Sequence, residues 1–159
     1  MQLSRNFLHS SKIQSLPTPT PYLPSQTENA KVIYVIDGDT IVINGNKKVR
    51  YIGIDTPEIK HPETSAPAQC YGDEATVKNK ELVEGKEIIM KKDVSETDKY
   101  GRLLRYIWLN NGIFVNDILV KEGFARAEPI KPDTTYAGEF FESEKEAKEN
   151  SRGLWKECY

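Results

Sequence analysis

Short dense runs of β-branched and aromatic residues open the patterned part of the chain. Residues 31–36 form one such run and predict a buried strand. Thr40–Ile43 predicts a second, and Asn44-Gly45-Asn46 after it is a hairpin signal. Residues 47–54 then read as the returning strand. The alternation breaks at Thr56-Pro57, and residues 56–71, with Pro57, Pro62 and Pro67, read as a loop. Gly72–Val83 predicts a helix with Ala75, Leu82 and Val83 inward and Gly85 closing it. Residues 88–90 and Leu103–Leu109 predict two more strands. Val115, Ile118, Leu119 and Glu122 fall at helical spacing, with Gly123 as the C-terminal cap. Residues 138–151 predict a charged helix with Phe140, Phe141 and Ala147 on a narrow apolar face, and Leu154-Trp155 can pack back on the domain.

Five strands and three helices give an α+β, mainly β, expectation. A five-stranded antiparallel sheet left open would expose its edges, and a small closed barrel is one solution among several. The first thirty residues differ. They carry Pro17, Pro19, Pro21 and Pro24, much Ser and Thr, and only Arg5, Lys12 and Glu28 as charges. Residues 1–29 are expected to be a disordered linker or tail, with the domain over 30–159. Phe7-Leu8 is too short for a signal-peptide core. The longest apolar run, residues 32–36, is far short of a membrane span.

Composition narrows the function. With 22 Lys+Arg against 24 Asp+Glu, the net charge is −2, which excludes coating of nucleic acid by bulk charge but not a local cationic cleft. Asp37-Gly38-Asp39-Thr40 alone reads as a turn. An EF-hand is excluded, because Ile41 and Val42 stand where an oxygen ligand and a glycine are needed. Arg50 and Asp55 would face opposite ways in a regular strand, so they can converge only if the chain bends, and Gly53 is the expected place. Asp98-Lys99-Tyr100-Gly101-Arg102 alone is a charged turn. Together these segments supply the parts of a phosphodiester hydrolase. Asp39, Asp55 and the Thr56 carbonyl offer hard oxygens for Ca²⁺ or Mg²⁺. Arg50 and Arg102 can clamp a phosphate, and Glu58 is left to orient or deprotonate water. His9 and His61 are the two histidines; His61 is expected to be a solvated loop residue.

In that order and spacing the three segments resemble the staphylococcal (thermo)nuclease family. Val115-Asn116, Ala125, Lys131-Pro132 and Leu154-Trp155 follow in the family's order. The resemblance covers roughly residues 30–156. It implies an OB-fold five-stranded barrel with three helices, and Ca²⁺-dependent hydrolysis of DNA and RNA at the 5′ P–O bond, leaving 3′-phosphate ends. Carried over by position, Asp39, Asp55 and Thr56 would bind Ca²⁺, with Asp37 behind them holding water at the ion. Arg50 and Arg102 would bind the phosphate and its transition state, and Glu58 would be the general base. Lys99, Tyr100 and Lys131 would contact the nucleotide, and Lys131-Pro132 sits where the family tends to a cis bond. Glu128 and Ile130 stand where two tyrosines are expected, which removes a stacking surface worth about 1–3 kcal/mol per base. A catalytically inactive nucleic-acid-binding module of the same fold is the alternative. Cys70 and Cys158 are two unpaired thiols or a disulfide; the latter is open because the resembled fold returns the chain end towards the first helix. The expected partners are DNA and RNA substrates, no apolar run is long enough to span a membrane, and nothing in the sequence demands an oligomer, so a monomer is expected. A secreted or cell-surface location is expected, with the cytoplasm left open.

Overall fold

A computed structural model describes residues 26–159; the linker expected over 1–29 lies outside the described residues except for its last four positions. Five strands close a barrel in the order β1 (Glu28–Asp37), β2 (Thr40–Ile43), β3 (Lys47–Tyr51), β6 (Leu103–Leu109), β5 (Glu87–Lys91). β1 begins three residues before the strand predicted over 31–36, because Glu28, Asn29 and Ala30 pair with Met90, Ile89 and Ile88 of β5. The antiparallel expectation needs one correction. β3 and β6 run parallel, with Arg50 beside Leu104, and that contact closes the barrel. Closure removes the open edges that a five-stranded sheet would carry.

The returning strand is shorter than its pattern. β3 stops at Tyr51, and Ile54–Asp55 forms a separate strand, β4, which pairs with β7 (Arg126–Ala127). The break falls at Ile52-Gly53. Gly53 has φ +79°, and a Cβ there would stand 2.6 Å from Cε2 of Phe140. Positive φ and missing space each require glycine.

α1 (Gly72–Val83), α2 (Val115–Lys121) and α3 (Ala137–Glu149) cover the barrel, and the four-residue α4 (Leu154–Glu157) ends it. The core holds Val32, Ile41, Val49, Tyr51, Ile88, Ile107 and Leu119, all essentially without solvent contact. Tyr106, Trp108, Phe114, Tyr136 and Phe140 interlock beside it; Trp108 and Phe114 stack at 4.4 Å, and Tyr136 meets Tyr106 edge-on at 4.6 Å. Such pairs add roughly 0.5–1.5 kcal/mol each beyond the area they bury. Phe141, expected on the inner face of α3, instead stands half exposed, while Phe140 and Ala147 are buried. Leu154 is buried, and its N–H donates to Gly123 O at 2.8 Å. The chain end is tied to the start of α1 by a Cys70–Cys158 disulfide, with Cα atoms 6.0 Å apart.

Candidate active site

β1 and β2 meet at a tight turn that aims its carboxylates at the end of β3. Asp37 Oδ1 accepts the Asp39 N–H at 3.1 Å, a local bond typical of Asp in turns. Thr40 lies opposite Arg50 in the β2–β3 ladder, and Tyr51 N–H donates to Asp39 O at 2.9 Å. The ladder therefore puts the Arg50 guanidinium beside Asp39, Nε to Oδ1 at 3.1 Å. The bend at Gly53 brings Asp55 back to the same guanidinium, Nη2 to Oδ1 at 3.0 Å. Arg50 Nη1 also donates to Tyr51 O at 2.9 Å and Ile54 O at 2.8 Å, so the arginine staples the bend from inside. Asp39 Oδ2 accepts from Thr56 N–H at 2.8 Å and Thr56 Oγ1 at 3.0 Å. Asp39, Asp55, Thr56 and Arg50 thus form one hydrogen-bonded unit.

This unit is short of positive charge. Asp37 is pushed up to about 6, first by burial and then by the Asp39 charge. Asp55 is also pushed up to about 6, by burial, then Asp39, against the opposing pull of Arg50. Carboxylates gathered out of water with a single guanidinium between them favour the neutral form, and a cation among them would reverse that.

Glu58 and His61 come from the loop after Thr56. The loop is closed on itself at its far end. Gln69 N–H donates to Glu58 O at 2.8 Å, and Glu58 N–H donates to Gln69 Oε1 at 3.0 Å. Gln69 precedes the disulfide-bonded Cys70, so the loop carrying Glu58 is tied through its own end to the chain terminus. The Glu58 side chain is 53% exposed and open to solvent. His61 departs from expectation. It is not a freely solvated residue: its Nε2 lies 3.4 Å from Glu58 Oε2 and 3.9 Å from Asp37 Oδ2.

A cavity of about 420 Å³ opens beside this unit. Arg50, Lys99, Tyr100, Arg102, Glu128 and Lys131 are on its wall. The charged turn places Arg102 there: Asp98 Oδ1 accepts the N–H groups of Tyr100 (2.9 Å) and Arg102 (3.0 Å), and its Oδ2 accepts Arg102 Nε at 2.7 Å. These bonds hold the Asp98 carboxyl below the usual range despite opposing burial, the largest single influence on it. Tyr100 projects into solvent, with Lys99 Nζ 5.1 Å and the Arg102 guanidinium 5.4 Å from its ring centroid. Lys131-Pro132 is cis and also lines the cavity. Glu128 and Ile130 are exposed at the same wall, and the Glu128 charge is among those that raise Asp55.

The candidate residues other than the cysteines fall into two groups: Asp37, Asp39, Asp55, Thr56 and Glu58 lie together at the ends of β1 and β3, Lys99, Tyr100, Arg102 and Lys131 line the cavity, and Arg50 belongs to both. One supporting residue carried no local signal. Asn79 of α1 is fully buried, accepts the Tyr51 O–H at 2.8 Å and donates to Asp37 O at 2.9 Å. It locks the helix to the carboxylate turn, and an asparagine amid charged helix residues gives no hint of that.

Comparison with known proteins follows the same outline. A family model described as staphylococcal nuclease homologue matches residues 48–157. Thermonuclease of Staphylococcus hyicus is 37% identical over 151 residues, covering 90% of this chain and 88% of that protein. Thermonuclease of Staphylococcus intermedius is 38% identical over 142 residues, 85% of this chain and 83% of its own. Endonuclease YncB of Bacillus subtilis (strain 168) is 40% identical over 143 residues, 86% of this chain but 66% of its own length.

Proposed function

The chain belongs to the staphylococcal nuclease homologue family, and from that premise we propose that it is a calcium-dependent nuclease hydrolysing DNA and RNA at the 5′ P–O bond to leave 3′-phosphate ends. The observation that carries this reading is Arg50. It touches both aspartates on one side and lines the cavity shared with Arg102 on the other.

The donor set fits a hard cation. Asp39, Asp55 and the Thr56 carbonyl offer only oxygens, and the raised Asp37 and Asp55 carboxyls mark a site in want of positive charge. Those three residues would hold Ca²⁺, with Asp37 behind them accepting hydrogen bonds. When bound, calcium supplies positive charge that polarises a phosphoryl oxygen. Arg50 and Arg102 then orient the phosphate and stabilise the negative charge that grows on its oxygens as the phosphorus becomes five-coordinate. Asp98 fixes the Arg102 side chain in advance, so little reorganisation is needed at reaction. Glu58 takes the proton of the attacking water as the water oxygen bonds to phosphorus, and the bond from phosphorus to the 5′ oxygen breaks, that oxygen taking a proton from solvent water. Its solvent exposure lets that proton leave. Lys99, Tyr100 and Lys131 hold the nucleotide along the cavity wall. A secreted or cell-surface setting is supported by the disulfide, since such bonds persist in oxidising compartments. Among the described residues, no helix is long and apolar enough to cross a membrane. The chain acts as a monomer in this reading.

Digestion of single-stranded DNA and of RNA with Ca²⁺, Mg²⁺ or chelator, beside Glu58→Gln and Arg102→Ala, tests the reading. Cleavage is expected with calcium alone, reduced by about 100-fold or more in each variant, with 3′-phosphate ends. A folded protein that binds DNA but never cuts it would instead be a binding module, and a fully active Glu58→Gln would overturn the assignment of the base.

A further inference from the structure

His61 stands beside the proposed general base, where no local pattern places it. The loop folds so that Glu58 and His61, three residues apart, face the end of β1. One ligand atom each of Asp37, Glu58 and His61 lies within 4.8 Å of the others. Nε2 of His61 is 3.4 Å from Glu58 Oε2 and 3.9 Å from Asp37 Oδ2. Asp37 is buried, and its other oxygen is committed to the Asp39 N–H. These spacings have a chemical meaning. Ligand atoms about 2.0–2.1 Å from a tetrahedral zinc ion stand roughly 3.4 Å apart. The His61–Glu58 edge already has that length, and a small rotation of the partly exposed His61 ring shortens the His61–Asp37 edge towards it.

The donor types separate this triad from the oxygen set of Asp39, Asp55 and Thr56. An imidazole nitrogen is a poor ligand for calcium or magnesium and a good one for zinc, cobalt, nickel and copper. Three protein ligands with a fourth position open is also the arrangement zinc takes where it is not purely structural.

We propose that Asp37, Glu58 and His61 form a second, zinc-class cation site that holds the nuclease off by taking the Glu58 carboxylate as a ligand. The inhibitory consequence rests on the nuclease reading above; the binding itself does not. A carboxylate bonded to zinc is a much weaker base and is turned towards the ion rather than towards the attacking water, so turnover stops although Arg50 and Arg102 are untouched. Removing the imidazole removes the nitrogen donor and leaves Glu58 free for its proposed work.

Cobalt(II) is the probe, because in a tetrahedral site it has visible bands that octahedral aqueous cobalt lacks. The full chain is titrated with cobalt in saturating calcium, then with zinc. One equivalent of cobalt should bind with those bands, and zinc should bleach them. His61→Gln should weaken cobalt binding at least tenfold, and His9→Gln, which alters the other histidine, should leave it unchanged. In parallel, calcium-supported cleavage should be equal in His61→Gln and the parent, while the zinc concentration that halves it rises by the same factor. Cobalt binding that persists in His61→Gln, that vanishes in His9→Gln, or that never occurs would overturn the site. Failure of all cleavage would count against the nuclease reading alone, because the cobalt titration still reports on the triad.

Discussion

Gly53→Ala is the substitution that joins fold and chemistry most directly. Gly53 has φ +79°, where an L-residue costs about 1–2 kcal/mol. Replacing glycine also restrains the unfolded chain and returns about 0.4–1 kcal/mol. A new Cβ would meet Phe140 Cε2 at 2.6 Å and Cδ2 at 2.9 Å, and Phe140 is wholly buried and cannot swing away. Overpacking of that kind adds about 1–3 kcal/mol. The expected loss is therefore about 2–4 kcal/mol, or roughly 5–15 °C in melting temperature for a domain of this size. Gly45→Ala separates the two causes. Gly45 has the same φ, +79°, but its Cβ would meet only the flexible end of Lys47 at 4.0 Å. It should lose about 1 kcal/mol or less, the dihedral cost net of the unfolded-chain gain. Urea unfolding of both variants at neutral pH measures the difference. Turnover should fall further in Gly53→Ala than in Gly45→Ala even where both are folded, since the bend is what returns Asp55 to Arg50. Equal stability of the two variants within experimental error would refute the packing argument, and unchanged turnover in a folded Gly53→Ala would refute its link to the site.

In chelator, Asp37 and Asp55 stay protonated in the folded chain to about pH 6 while the unfolded chain releases those protons near pH 4. The folded state binds more protons in that window, so these groups lower stability as pH rises through it; Asp37→Asn should gain on the parent from about pH 4 to about 6, and a flat difference in urea unfolding would contradict this. Cys158→Ser opens a loop with a sequence separation of 88 and should lose about 4–5 kcal/mol in chain entropy, read by unfolding with and without reductant; a loss under about 1 kcal/mol would mean the unfolded chain is already constrained there. Asn79→Ala strands the buried Tyr51 hydroxyl and Asp37 carbonyl, so it should cost about 2–4 kcal/mol by calorimetry and loosen the carboxylate turn; calcium affinity equal to that of the parent would show that the turn stands without it.

What the sequence determined by itself was local. β-branched runs, an Asn-Gly turn and helical spacing fixed the strands and helices, because hydrogen-bonded periods and turn geometry act over a few residues. The odd separation of Arg50 and Asp55 already required a bend, and glycine is the residue that allows one. The order of the three charged segments was enough to name the family. Tertiary structure decided what met across the barrel. The parallel β3–β6 contact is the closure itself, and no periodicity encodes which edges join. Phe141 lost its expected place because α3 presents a narrower stripe than its sequence offers, and Phe140 alone reaches Gly53. Asn79 reaches Asp37 over 42 residues and Tyr51 over 28, and His61 joins Asp37 only once β1 and the loop have docked. The physical reason is common to all of these. Local sequence sets each segment's conformation, whereas neighbours distant in the chain are chosen by burial of the whole apolar surface at once, and side chains such as His61 are carried to their partners by that packing.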